Sequence, residues 1–273
     1  MEQNIAECIN ILGRFCGPRD VAELTRSQLQ RRYGLEQADV MALFGGSILC
    51  GGDVLAEAIQ NGVAKHYVIV GGEGHTTRTL REKVHGLFPE TAVEEMPEAE
   101  LFDAYIRRRY GVRAGLLECR STNCGNNITC LLELLRQNNI PFHSIILAQD
   151  ATMQRRMEAG MRKYAAEVQI INFATYATRV VEREGGLAFE HQPAGMWDME
   201  RYITLLMGEI PRLSDDAGGY GPQGRGYIAH VEIPAAVRRA FEMLKTCYGD
   251  RVRAADLRYA SEPAPGEALF TTR

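Results

Sequence analysis

The stretch DVMALFGGSILCGGDVLAEAIQNGVAKHYVIVGGEGHTT (39–77) decides the fold class. It contains two short apolar runs, DVMALF (39–44) and HYVIV (66–70), and each is followed by a pair of glycines. Between them lies an amphipathic segment (52–62) that is long enough for about three helical turns. An apolar run, a helix and a second apolar run form the pattern of a βαβ unit, whose two strands are parallel.

The same alternation continues for another hundred residues. Further strands are predicted at GLLEC (115–119), SIILAQ (144–149) and VQIINF (168–173), with a weaker candidate at AVEEM (92–96). Helix-length segments lie at 77–87, 97–110, 125–137 and 151–165. We therefore predict an α/β fold, with a Rossmann-like, mostly parallel sheet and helices on both of its faces.

Helical additions are expected at both ends of this core. Residues 1–34 read as two helices, IAECINILGRFC (5–16) and DVAELTRSQLQRRYG (20–34), and the α/β core spans 35–175. The remaining residues, 176–273, read as a C-terminal extension packed on the core within one domain. Its parts are a loop (180–195), a helix (196–210), a Gly/Pro-rich segment (211–226), a last helix (234–245) and a mobile tail (261–273).

The composition of the chain disfavours several kinds of binding partner. Lys and Arg number 31 against 35 Asp and Glu, which leaves a net charge of −4 and no strongly basic face for nucleic acid. No apolar run approaches the ~18 residues of a membrane span, and the start MEQNIAECIN lacks signal-peptide character. The seven cysteines are an odd number, which fits a reducing compartment. We expect a cytoplasmic protein without nucleic-acid or membrane partners, and the cysteine and histidine spacing predicts no metal site.

Unusual loops follow four of the predicted strands. Because ligands bind outside the carboxyl ends of parallel strands, and glycines let the backbone approach a ligand, we predict that these loops form one pocket for a small polar molecule. The predicted binding residues in them are Gly45, Gly46, Ser47, Gly71, Gly72, Glu73, Gly74, His75, Ser121, Thr122, Asn123, Gln149, Asp150 and, just inside the following helix, Arg156.

Each of these residues also has a simpler interpretation. Paired glycines make tight turns, and Ser, Thr or Asn before a helix is ordinarily a cap. Glu73 is placed either to accept ribose hydroxyls or to be a solvated carboxylate. Asp150 is a cap, a general base or a partner of Arg156, and His75 is a general acid/base or an exposed bystander. Cys124 is a nucleophile at a helix N-terminus or a buried thiol.

No complete phosphate-binding motif is present. GSILCGGD (46–53) has two glycines at P-loop spacing, but Gly-Asp replaces the required Lys-Ser/Thr. Neither FGGSIL nor GGEGHT matches the dinucleotide fingerprint G-x-G-x-x-G. Nucleoside-triphosphate and nicotinamide chemistry are therefore disfavoured.

The chain resembles the YdcF/SanA/ElyC family of bacterial proteins, and its soluble YdcF-like branch in particular. The resemblance covers about residues 36–246 and rests on ADVMALFGG, VIVGGEGHT, PEAELF, STNCGNN, AQDATMQRR and ERYITLLMGEIPRLSDDAGGYGPQGRG. It implies a Rossmann-like fold that binds S-adenosylmethionine, with no settled reaction. The residues it carries over are Gly45, Gly46, Gly71, Gly72, Glu98, Ser121 to Asn123, Asn127, Asp150 and Arg156.

Two departures from that family pattern affect the functional hypotheses. Asn126 stands where relatives have Glu, and Met153 stands where they have His, so two acid/base candidates are lost. The first hypothesis is a protein that binds a nucleoside-type ligand such as S-adenosylmethionine, with a methyl-transferring activity left open. The alternative is a hydrolase or transferase for a phosphate-bearing or sugar-linked, envelope-related substrate, in which Asp150 or His75 transfers protons and Arg156 binds the anion. A third hypothesis is an interaction scaffold built on the Gly-rich C-terminal segment.

Overall fold

The computed structural model of the protein describes residues 4–74 and 76–249. Its main sheet has five strands: β1 (Ala38–Phe44), β2 (Ala64–Val70), β3 (Leu116–Glu118), β4 (Ser144–Ala148) and β5 (Gln169–Asn172). All neighbouring pairs are parallel, and the strand order is β3-β2-β1-β4-β5. The predicted α/β class, with a Rossmann-like parallel sheet, is confirmed.

Helices cover both faces of this sheet, as predicted. The helices of the described chain are α1 (Ile5–Cys16), α2 (Arg26–Tyr33), α3 (Cys50–Asn61), α4 (Thr77–Leu87), α5 (Glu98–Tyr110), α6 (Cys124–Gln137), α7 (Gln154–Tyr164), α8 (Met199–Leu213) and α9 (Ala235–Tyr248). Within residues 4–74 and 76–249, no helix combines the length and apolar character needed to cross a bilayer.

The two faces of β1 explain why its sequence is apolar almost throughout. Met41 and Leu43 face one core, which α3, α4 and α5 complete. Val40, Ala42 and Phe44 face the opposite core, which α6 and α7 complete. Because successive side chains of a strand point to opposite faces, a strand covered on both sides must be apolar at both sets of positions.

A third apolar core joins the two ends of the described chain. It contains buried residues of α1, α8 and α9, and α1 packs against both other helices. Ile48, from the segment that follows β1, and Ala151, from the loop that follows β4, also belong to this cluster. The helical extensions therefore pack where the carboxyl ends of the central strands lie.

The second predicted N-terminal helix begins later than expected. The sequence predicts a helix over 20–34, but α2 starts at Arg26, with the Thr25 side chain accepting a hydrogen bond at its N-terminus. Asp20 is held elsewhere, because its carboxylate accepts hydrogen bonds from the backbone (2.7 Å) and side-chain amide (3.2 Å) of Asn172 at the end of β5. These hydrogen bonds to β5 keep Asp20 and the residues between it and Thr25 out of the helix.

Two other predictions of local structure are wrong. The weak strand candidate at 92–96 forms a turn, closed by a hydrogen bond from the Met96 amide to the Val93 carbonyl (3.2 Å). The predicted loop at 180–195 contains an antiparallel hairpin of β6 (Val180–Arg183) and β7 (Gly186–Phe189). Gly185, in the two-residue turn, and Gly186, the first residue of β7, adopt φ values of +102° and +120°, so the glycines that indicated a loop allow the tight turn of the hairpin. The predicted tail at 261–273 lies outside the described residues.

Candidate functional site

The carboxyl ends of β1 and β4 lie side by side at the point where the strand order reverses. The chain runs from β1 outward to β2 and β3, and then returns to place β4 and β5 on the other side of β1. In parallel sheets, the crevice at such a switch point is the usual ligand position. The loop at 45–47 and the loop at 149–152 flank this crevice.

The loops after β1, β2 and β3 are bonded to one another. The Gly45 amide donates to the Val70 carbonyl (2.7 Å), the Gly71 amide to the Glu118 carbonyl (2.9 Å), and the Gly72 amide to the Ser121 carbonyl (2.9 Å). The structure therefore brings the predicted loops to one edge of the sheet. His75, in the second loop, lies outside the described residues.

Glu98 explains why two of these loops contain glycine. Its carboxylate is buried at the start of α5, and a Cβ atom on Gly45 would overlap with it. A Cβ atom on Gly71 would lie 3.0 Å from the Glu98 Cβ. Gly46 differs, because its nearest neighbour would be the Gln149 Oε1 atom at 3.9 Å. Gly45 and Gly71 thus serve the close packing of Glu98, whereas Gly46 faces the crevice.

The Glu98 carboxylate is held by two hydroxyl groups. Thr76 (2.9 Å) and Thr77 (3.0 Å) donate to its Oε1 atom. Burial raises the pKa of Glu98 above its ordinary value, although these hydrogen bonds and the charge of Arg81 act in the opposite direction. Glu98 is therefore a packed carboxyl group that takes up a proton more readily than a solvated one.

Asp150 ties three segments of the chain together. Its Oδ1 atom accepts hydrogen bonds from the Thr152 amide (2.8 Å), the Thr152 hydroxyl (2.7 Å) and the Tyr176 hydroxyl (2.8 Å). Its Oδ2 atom accepts a hydrogen bond from the Trp197 indole N–H (2.9 Å). Three donors fully engage Oδ1, whereas Oδ2 has one donor and can accept one more hydrogen bond. The geometry supports a role for Asp150 in holding the loops in place.

The run of small polar residues after β3 is largely a helix cap. The Asn123 side chain accepts hydrogen bonds from the Gly125 amide (2.9 Å) and the Asn126 amide (3.1 Å). The Asn126 side chain in return accepts hydrogen bonds from the Asn123 amide (2.9 Å) and the Thr122 amide (3.0 Å). This capping box satisfies the N-terminal amides of α6, and it gives Asn126 a structural role that the sequence prediction missed.

Not every polar group at this edge has a partner. The Ser121 Oγ atom is buried without a hydrogen bond in the described part of the chain, although the Ser121 amide donates to the Glu118 carboxylate (3.2 Å). The Ser47 Oγ atom is buried in the same way, with 1% of the residue exposed. Asn127 is buried in the first turn of α6.

Arg156 and Glu73 have partners of different kinds. The Nε and Nη2 atoms of Arg156 donate to the two carboxylate oxygens of Glu209 on α8, at 2.6 and 2.9 Å. Both side chains are largely buried, so this guanidinium is engaged in a bidentate pair. Glu73 pairs with Arg81 at 3.1 Å, but its side chain is 66% exposed.

Cys124 sits where the loops after β3 and β4 meet. It is partly buried at the first residue of α6, and its Sγ atom lies 3.9 Å from the Met153 Sδ atom. No group of three or more His, Cys, Asp or Glu side chains suited to a metal ion occurs within the described ranges.

The space inside the crevice is small. A cavity of about 10 Å³ lies between the ends of β1 and β4, which is roughly the room that one water molecule needs. It is lined by Leu43, Phe44, Gly46, Ser47, Ile48, Gly51, Phe102, Gln149, Asp150 and Thr175. Of the predicted binding residues, Gly46, Ser47, Gln149 and Asp150 line this cavity, and those in the loops after β2 and β3 do not.

Residues 194–197, named the strap here, bridge the two loops that flank the crevice. Trp197 is bonded to Asp150 in the loop after β4. Lys83 donates to the Ser47 carbonyl (2.6 Å), in the loop after β1, and to the Gly195 carbonyl (2.9 Å). Sequence reasoning missed Trp197, Lys83 and Glu209. The one available signal was that Trp197 is the only tryptophan of the chain.

Comparisons with known proteins identify no family. No family model matches the chain. Among solved structures, the chain is similar to the E. coli tRNA N6-threonylcarbamoyladenosine dehydratase TcdA, with 13% sequence identity over 81% of this chain and 95% of that one. The TM-score of this match is 0.31, which is too low to carry an argument about function.

Proposed function

We propose that the carboxyl edge of the sheet binds a small polar ligand of the nucleoside type, with S-adenosylmethionine as the first candidate. The observation that carries this proposal is the pair of buried hydroxyls without partners. Three buried side-chain oxygens in the described residues have no hydrogen bond, and two of them, those of Ser47 and Ser121, lie in loops after β1 and β3. Since buried polar groups in proteins are normally bonded, two such hydroxyls at one sheet edge favour a ligand there.

The chemistry of the surrounding residues fits a nucleoside. Gln149 and Asn127 contribute neutral amides, and Gly46 leaves the backbone open on the crevice side. Glu73 follows β2, which neighbours β1, and an acid at that place binds ribose hydroxyls in dinucleotide-binding folds. Glu73 is the exposed member of its pair with Arg81, so its carboxylate is open to ribose hydroxyls.

The crevice as it stands is too small for the proposed ligand. Sites for small organic molecules usually enclose about 300–1,000 Å³. The cavity of about 10 Å³ cannot hold an adenosyl group, so binding requires the edge to open. The resemblance to the soluble YdcF-like branch is the reason to test S-adenosylmethionine before other nucleosides.

The alternative of a hydrolase or phosphate-directed transferase is less well supported. Asp150 already accepts four hydrogen bonds, and Arg156 is engaged by Glu209. Two of the three residues invoked for that chemistry therefore hold structural contacts. We propose ligand binding and no particular reaction.

Titration calorimetry with S-adenosylmethionine, S-adenosylhomocysteine and adenosine tests the proposal. Ser47→Ala and Ser121→Ala should each weaken binding by about twofold to tenfold, which is the net worth of one hydrogen bond. Thr91→Val is the matched control, because Thr91 carries the third unpartnered hydroxyl and belongs to none of the loops that follow the strands. Absence of binding by every adenosyl compound, together with turnover of a simple phosphoester, would favour the alternative.

A further inference from the structure

We infer that the strap, residues 194–197, is a lid that must swing away before the crevice can admit a ligand. This inference rests on the proposed function of the carboxyl edge and adds the control of access to it. Its basis is that the strap is bonded to residues of the closed crevice and also lines a larger open groove.

Hydrogen bonds tie the strap to the crevice at two points, and Met196 and Trp197 also pack on the core that contains α1, α8 and α9. Trp197 bonds directly to Asp150, which lines the cavity. Gly195 is linked through the Lys83 ammonium group to the carbonyl of Ser47, which also lines it. Because Ser47 follows β1 and Asp150 precedes α7, these ties draw together the two loops that a ligand at the switch point would have to separate.

On its other side the strap borders a groove of ligand size. This groove has a volume of about 360 Å³ and is lined by Leu49, Asp53, Glu82, Lys83, Gly86, Leu87, Tyr105, Arg109, Ala194 and Gly195. Lys83 and Gly195 thus belong both to the tie and to the groove wall. The strap therefore forms part of the groove wall and is bonded to residues that line the closed cavity.

The tie through Lys83 consists of hydrogen bonds and contains no ion pair. The ammonium group of Lys83 donates to neutral carbonyl oxygens and has no carboxylate within ion-pair distance among the described residues. The strap lies in an irregular segment between β7 and α8, and Gly195 has a φ of +73°. Its C-terminal end is fixed, because Asp198 caps α8 by accepting a hydrogen bond from the Arg201 amide (2.7 Å). The strap can therefore move about its junction with α8 without unwinding that helix.

The single tryptophan makes the movement directly measurable in the full-length protein. We expect Lys83→Met, which keeps the apolar stem, removes both hydrogen bonds of Lys83 and leaves the Trp197–Asp150 bond in place, to raise acrylamide quenching of Trp197 fluorescence. Lys163→Met is the matched control, because Lys163 donates to the Gly226 carbonyl (2.5 Å) away from the strap. Circular dichroism and thermal melting show whether both variants stay folded. Equal quenching of Trp197 in the two variants would overturn the inference.

A second measurement tests whether the strap controls the access of a reagent to the crevice, and it needs no knowledge of the natural ligand. The Ser47→Cys thiol is placed in a Cys50→Ala background, and its modification by a methanethiosulfonate reagent is followed by peptide mass spectrometry. Adding Lys83→Met should accelerate the modification about tenfold, as expected when two hydrogen bonds are lost, whereas Lys163→Met should leave the rate unchanged. Equal rates would refute the lid even if the crevice proves to be a binding site.

Stopped-flow fluorescence with S-adenosylmethionine separates the lid from the proposed function. If both hold, the Trp197 signal changes with a rate that saturates with ligand concentration, and Lys83→Met raises the saturating rate. Calorimetric binding without any change of Trp197 emission would refute the lid and keep the binding site. Absence of binding would refute the proposed ligand, and the thiol-modification rates would then decide on the lid.

Discussion

The buried pair of Arg156 and Glu209 predicts that Glu209→Ala strongly destabilises the protein. The pair is bidentate, with Nε–Oε2 and Nη2–Oε1 distances of 2.6 and 2.9 Å, and the side chains are 12% and 2% exposed. Truncating Glu209 would leave a guanidinium without its partner in a site that water hardly reaches. Removing one member of such a pair costs about 3–5 kcal/mol of the free energy of unfolding.

The assay for this prediction is urea denaturation at constant pH, with thermal melting beside it. At about 2–4 °C for each kcal/mol in a chain of this size, the melting temperature should fall by about 6–20 °C. Glu82→Ala is the matched control, because Glu82 pairs with Arg78 on the surface of α4, where the side chains are 62% and 88% exposed. An exposed pair of this spacing contributes at most about 0.5 kcal/mol.

The double variant Arg156→Met/Glu209→Leu isolates the cause of the loss. Replacing both charges by apolar side chains leaves no unpaired charge, so most of the lost stability should return. If Glu209→Ala costs no more than Glu82→Ala, or if the double variant is as unstable as the single one, the pair is solvated in solution. Burial would then not be the reason for any loss of stability on removing Glu209.

Two further predictions concern the carboxyl group at the start of α5. Burial raises the pKa of Glu98, so its contribution to stability is fully present below the unfolded-state pKa and is lost as the pH rises through the folded-state pKa. The stability of the wild type relative to Glu98→Gln should therefore fall as the pH rises above about 4, as urea titrations would show, and a constant difference would contradict this. Gly45→Ala should lower the free energy of unfolding by about 1–3 kcal/mol, because the new Cβ overlaps with Glu98. In the same denaturation assay, the control Gly86→Ala in α4 should be neutral or stabilising by up to about 1 kcal/mol, because its Cβ meets nothing within 4 Å.

The sequence alone determined the sheet and the edge at which its loops collect. The strands of the sheet are apolar runs separated by helix-length amphipathic segments, and their parallel direction follows from that alternation, whereas their order comes from the structure. Parallel strands place their carboxyl ends together, so the convergence of the loops after them could be predicted without coordinates. The weak candidate at 92–96 failed because its three apolar residues do not alternate with polar ones and are interrupted by two adjacent glutamates.

The tertiary structure decided what these loops contact. Trp197 reaches Asp150 across 47 residues of sequence, and Glu209 reaches Arg156 across 53. These contacts engage two predicted ligand groups as structural anchors, and the space left in the crevice is about the size of one water molecule. The physical reason is that local sequence patterns report periodicity and burial, whereas the partner of a buried charge or the cover of a cleft depends on how distant segments pack.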